Sequence, residues 1–236
     1  MLAILKRELK AYFVSPLIYI IMSVYLVYTM IVFYVYNIKI YNTPELLTLF
    51  INCNFLMHLI VPFITMKLFS EEKTQRTDQL LLTSPNSIIS IVLGKYLSAA
   101  VITTIMILST VIYGIIIDVS VVFNWAAYLM LLIGSILLNL ALLSIGLFVS
   151  AVFGNMVVSS LVTLGIMLVI YFVNMATFVS KDAGFFARIV DLVNLSGKYS
   201  DFAIGLFSIE SIVYYLSFAT VFVFLSVRAI DKKRWS

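Results

Sequence analysis

Long apolar runs separated by short polar stretches dominate the chain. A bilayer core of about 30 Å takes about 20 apolar residues in a helix rising about 1.5 Å per residue. Six runs reach that length, near residues 16–37, 46–66, 96–117, 125–150, 156–179 and 209–227. They are continuously apolar, without the alternation of a lipid-facing strand, so helices are expected rather than a barrel. The pattern predicts an all-α integral membrane protein with six transmembrane helices, folded as one domain over residues 1–236.

Three further stretches do not span. In residues 2–13, Leu2, Leu5, Leu9, Tyr12 and Phe13 recur at helical spacing, with Lys6, Arg7, Glu8 and Lys10 between them. This predicts a short interfacial helix over 1–15 with its apolar side in lipid. Ser15-Pro16 then ends it and starts the first span. Between spans two and three, residues 67–95 hold Thr77 and Asp78 as plausible caps, a Leu80-Leu81-Leu82 triplet, and a stop at Ser84-Pro85-Asn86. A helix this short is unstable alone and needs a surface on which to bury its leucines. Before span six, residues 180–208 mix Phe185, Phe186, Ile189 and Phe202 with Arg188, Asp191 and Asp201. Here two short re-entrant or amphipathic helices are expected, broken at Ser196-Gly197.

Composition agrees with the pattern. Of 236 residues, 63% are hydrophobic and 11% charged, where soluble domains are about a quarter charged. Charge adds orientation. Lys6, Arg7, Lys10, Lys67, Lys73, Arg76, Lys95, Arg228, Lys232, Lys233 and Arg234 fall on one side of the predicted spans, and only Lys39, Lys181, Arg188 and Lys198 on the other. The excess of basic residues marks the cytoplasmic side, which puts both termini in the cytoplasm and the protein in the plasma membrane. The run from Pro16 is too long for the core of a signal peptide, so cleavage is not expected. The basic residues sit beside apolar spans and form no basic face, so nucleic acid is not an expected partner.

Candidate chemistry is sparse. One cysteine, Cys53, and one histidine, His58, exclude a disulfide framework and a zinc cluster built from Cys and His. The only Gly-Lys pair, Gly94-Lys95, is followed by Tyr96 where a phosphate loop needs Ser or Thr, and Ile89 stands where its first glycine belongs. No cofactor, metal or catalytic residue is therefore expected in this chain. The polar residues within spans are Asn54 and His58, four apart on one helix face, then Asn139 and Asn174. They are candidates for pathway lining, or for hydrogen bonds between helices. Pro62 should kink the second span. Gly146, Ser150 and Gly154 form a small-residue series suited to close helix contact.

Four stretches together resemble the membrane subunit of a type-2 ABC exporter, nearest the gliding-motility-type permeases. They are the opening "LKRELKAYFVSPLIYI", the segment "KLFSEEKTQRTDQLLLTSPNSIISIVLGKYL", the amphipathic stretch before the last span, and the ending "RAIDKKRWS". The resemblance covers essentially the whole chain. It implies a permease without its own ATPase, paired with a second permease copy and with an ABC ATPase subunit that carries ATP and Mg. It also implies a cytoplasmic coupling helix between spans two and three. By resemblance, Glu71, Glu72, Thr77, Asp78, Leu80, Leu81, Leu82, Thr83, Ser84 and Pro85 take that position. Many relatives have Gly-Thr-apolar-Glu where this chain has Arg76-Thr77-Asp78-Gln79, so no specific Glu contact carries over. The rival classes are an ion-gradient-driven secondary transporter and a membrane anchor for a soluble partner. The spans lack the mid-membrane charges and broken helices usual in the first.

Overall fold

The fold is described from a computed structural model covering residues 1–40, 46–74, 87–119, 123–179 and 195–234. Every regular element among these residues is helical. Helix α1 (Leu2–Val14) ends at Ser15, whose extended backbone turns the chain. Pro16 then opens α2 (Pro16–Phe33) at a position where its missing N–H costs nothing. A π-helical stretch, Tyr34–Ile40, continues α2. Helix α3 (Leu46–Thr65) carries Pro62 and leads through a turn into α4 (Ser70–Thr74).

Helix α5 (Ile88–Leu108) starts at Ser87, whose hydroxyl accepts from Ser90 N–H. It gives way at Ser109-Thr110, where both hydroxyls bond back to carbonyls three residues earlier. Helix α6 (Val111–Asp118) continues the same crossing. Asn124 caps α7 (Trp125–Val152). Asn155 accepts from Val157 N–H at the start of α8 (Met156–Val179). Helix α9 (Leu195–Ala203) and a turn at Gly205, with φ of 78°, precede α10 (Ile209–Arg234).

Six helices are long and apolar enough to cross a membrane: Pro16–Asn37, Leu46–Thr74, Ile88–Asp118, Trp125–Val152, Met156–Val173 and Ile209–Lys232. Helix α7 is the centre of the bundle. It packs against α3, α5, α8, α9 and α10, and most of its C-terminal half is buried. Helices α2, α8 and α10 instead show apolar rows to the outside, such as Ile20, Val24 and Val27 on α2 and Leu161, Val169 and Phe172 on α8. In water such rows would be a liability; in a bilayer they meet a solvent as apolar as themselves.

Three expectations change. The third crossing begins at Ile88 rather than near 96, because Lys95 and the polar residues around it are buried by protein. Tyr12 does not face lipid: it is buried, and its hydroxyl donates to Ile64 O at 2.9 Å. That carbonyl belongs to the last turn of α3, which has no acceptor-satisfying N–H of its own helix. Leu2 and Phe13, also expected in lipid, are exposed. Lastly, α9 starts at Leu195 and takes Ser196-Gly197 into its first turn instead of following them, while the helix expected before them lies outside the described residues. It packs on α7 two turns in from the start of that helix, with Phe202 so close to Gly134 that a Cβ there would lie 2.8 Å from the phenyl side chain.

Candidate functional site

The site lies at the end of the bundle that carries α1, α4 and the start of α5. Ile4, Glu8 and Tyr12 follow one another at intervals of four, so they share one face of α1. All three are buried. Gly94 lets this face approach α5: a Cβ at Gly94 would stand 2.9 Å from Ile4 Cγ2. Glu8 is thereby delivered to the next residue of α5, Lys95.

Lys95 is 1% exposed. Its Nζ lies 2.9 Å from Glu72 Oε1 and 3.3 Å from Glu8 Oε1. The Phe69 ring sits beneath it, 5.2 Å away. Arg7 closes the group from the exposed side, with Nη2 at 2.6 Å from Glu8 Oε1 and 3.4 Å from Glu72 Oε1. Two cations and two anions thus cancel within one cluster. Burying an ammonium alone costs several kcal/mol, about as much again for each unmatched carboxylate, and only such pairing offsets it. The hydrogen bond to Glu8 raises the Arg7 guanidinium pKa, against the opposing effect of burial. Burial pushes the Tyr12 phenol up, and the nearby charges of Glu8 and Glu71 add to that.

A second fastening joins α4 to α7. Phe69 and Ser70 N–H groups both donate to Ser150 Oγ, at 3.0 and 3.1 Å. Lys73 Nζ donates to the carbonyls of Ser150 and Phe153, each at 3.2 Å, and to that of Ala151. These carbonyls lie at the C-terminus of α7, where the helix dipole also favours a cation. One turn earlier Thr65 fills the space left by Gly146, where a Cβ would be 2.4 Å from Thr65 Oγ1. Of the small-residue series, Gly146 and Ser150 therefore make the contact between α3–α4 and α7. A Cβ at Gly154 would meet nothing within 4 Å.

Among the residues expected to form the coupling segment, Glu71 and Glu72 lie on α4, and Glu72 joins the charge cluster. Thr77, Asp78, Leu80, Leu81, Leu82, Thr83, Ser84 and Pro85 fall outside the described residues. The chain on either side of them is held: Thr74 follows the α4 fastening, and Ser87 begins the helix that carries Lys95.

The mid-span polar residues lie elsewhere. Asn54, His58 and Asn139 are all buried inside the chain. Helices α3 and α7 run in the same direction, with Phe50 against Tyr128, Thr65 against Gly146 and Ser70 against Ser150. His58 Nδ1 donates to Asn54 O at 2.8 Å, and Asn139 Nδ2 to Ser135 O at 2.8 Å. His58 Nε2, Asn54 Nδ2 and Asn139 Oδ1 have no partner among the described residues. Asn174 is on α8, and its side chain is outside the described set.

In the sequence Lys95, Arg7 and Lys73 stood out as markers of orientation, Lys95 also as half of the Gly-Lys pair, and Arg7 and Glu8 as polar residues of α1. The missed signal was local. Glu8 interrupts the Ile4–Tyr12 row, so a carboxylate stands where the helix should be buried, and Gly94 beside Lys95 marks a place of close approach.

No curated protein matches the chain. The sequence profile of the ABC-2 family transporter proteins matches residues 2–227. The chain belongs to that family, and it is a multi-pass membrane component of an ABC transporter.

Proposed function

We propose that this chain is the permease of an ATP-driven exporter, and that residues 71–85 receive the work of a separate ABC ATPase subunit. ATP and Mg act on that partner. The working unit contains two permease copies, this chain with itself or with a sibling. The end of the bundle carrying α1 and α4 faces the cytoplasm, in line with the basic residues gathered there, and the membrane is the plasma membrane. Asn54, His58, Asn139 and Asn174 line the pathway or hydrogen-bond between helices. Within the family, the four stretches quoted above favour the gliding-motility-type subgroup.

The observation that carries this reading is the double fastening of α4, on one side to the C-terminus of α7 and on the other to Lys95. A loop that merely connected two spans would need neither. Held at both ends, the 75–86 stretch passes a push into the bundle instead of absorbing it, because packed side chains shift as a unit rather than deform. The Leu80-Leu81-Leu82 triplet supplies apolar surface for a groove on the partner.

The test is purification of the chain from its native membrane, followed by reconstitution. A nucleotide hydrolase should accompany it, with vanadate-sensitive ATPase activity in lipid. Replacing Leu80 and Leu81 together by Asp should uncouple hydrolysis from transport. Transport that continues without ATP would favour an ion-gradient-driven carrier, and a bound partner without any transport would favour an anchor.

A further inference from the structure

We propose that Arg7, Glu8, Glu72 and Lys95 form an interlock that makes α1 a moving part of the coupling apparatus. Displacement of the 75–86 stretch reaches α1 and the start of α5 through Glu72 and Lys95, not along α3 alone. The proposal rests on the reading of 71–85 as the segment that docks the ATPase.

The geometry of Lys95 is the ground for it. One nitrogen takes a carboxylate from α1 and another from α4, elements far apart in sequence. With Arg7 the charges of the cluster sum to zero among the described residues. Pulling either carboxylate away leaves a buried ammonium under-compensated and the two sides of the cluster mismatched, so separation is resisted far more than in an exposed pair. The packing around it points the same way. Ile4 sits against Gly94 with no space for a side chain between the helices, and Tyr12 holds Ile64 O. Three elements therefore travel together: α1, α4 and the first turns of α5.

Motion of α1 would not stay local. Its exposed face carries Leu2, Phe13 and Val14 beside Lys6 and Lys10, the mixture of an interfacial helix, so a shift slides it within the membrane interface. Its last residue is joined through Ser15 to α2, and Lys67 Nζ donates to Ser15 Oγ at 2.6 Å, marking the same joint from the α3 side. Helix α2 has a largely exposed apolar surface and is free to follow.

The experiment uses the chain with its co-purified ATPase in proteoliposomes. A Cys53→Ala background carries a single fluorophore at Lys10→Cys, on the exposed side of α1. Its signal is read without nucleotide and after trapping with ATP, Mg and vanadate. The parent should show a trapping-dependent change. Lys95→Met should abolish it, Lys95→Arg should keep it, and Glu8→Gln, which takes the α1 carboxylate from Lys95 and leaves the Lys95–Glu72 pair, should also abolish it. A disulfide between Ile4→Cys and Gly94→Cys should restore the change in Glu8→Gln when oxidised and lose it when reduced. A simple folding defect would not be rescued in this redox-dependent way. A parent change that persists in Glu8→Gln overturns the interlock and leaves the functional reading standing. A parent that carries no hydrolase and gives no response to vanadate overturns the functional reading and the interlock with it.

Discussion

A Cβ at Gly146 would stand 2.4 Å from Thr65 Oγ1, a hydroxyl already committed to Val61 O at 2.9 Å, whereas one at Gly154 would have open space. Gly146→Val should therefore lower the thermal midpoint of the detergent-solubilised protein, at an overpacking cost of about 1–3 kcal/mol. Gly154→Ala should leave it where it is. Fluorescence-detected gel filtration after a heating series compares the two directly, and equal midpoints would refute the packing argument. The sequence grouped Gly146, Ser150 and Gly154 as one small-residue series. That grouping found the right helix and the right region. It did not separate a steric gap at Gly146 from a hydrogen-bonding post at Ser150, because spacing carries no information on what stands opposite. Lys95 was obscured for a related reason. A lysine beside an apolar run looks like a topology marker, and its burial depends on Glu8 and Glu72 arriving from other elements.

Among the elements, α4 has only five residues, Ser70–Thr74, too few to hold its shape unaided. Its order comes from what it grips. Lys73 supplies donors to the last carbonyls of α7, a helix-end interaction worth about 0.3–1 kcal/mol when exposed and up to about 2 when partly buried. Lys73→Met should let that end fray, seen as faster hydrogen exchange at residues 150–153 with little change in the middle of α7. Unchanged exchange there would show that Ser150 suffices. Most helices were legible from hydropathy alone, since long apolar runs admit few other structures in lipid. The third crossing was cut short at 96 because hydropathy counts Lys95 as a solvent-facing charge. The inward face of α1 was misassigned at Tyr12 because an amphipathic pattern shows two faces but not which one the protein claims.

For the whole molecule, the buried Glu8–Glu72–Lys95 charge cluster lies at one end, and apolar side chains face outward around the middle. The orientation proposed for it has a direct check. Single cysteines at Lys10 and Ser87 should react with an impermeant maleimide only from the cytoplasmic side, and one at Asn124 only from the other. Labelling of Ser87→Cys from outside would reverse the topology and remove the docking segment from reach of any ATPase. Family and architecture were within reach of the sequence, since they reside in run lengths and in stretches such as 67–95. How a push is distributed among α1, α5 and α7 was not, because it depends on side chains that meet only after the helices have assembled.

The pairing of Glu8 with Lys95 also bears on biogenesis. A ribosome finishes α1 long before it reaches the third crossing, so the first helix emerges with its carboxylate and its Ile4 groove unmatched. It must wait at the membrane surface through two insertions before its seat exists. Helix α1, made before the crossing that seats it, is thus among the later elements to settle, and its docking requires that α5 has been threaded in the correct sense.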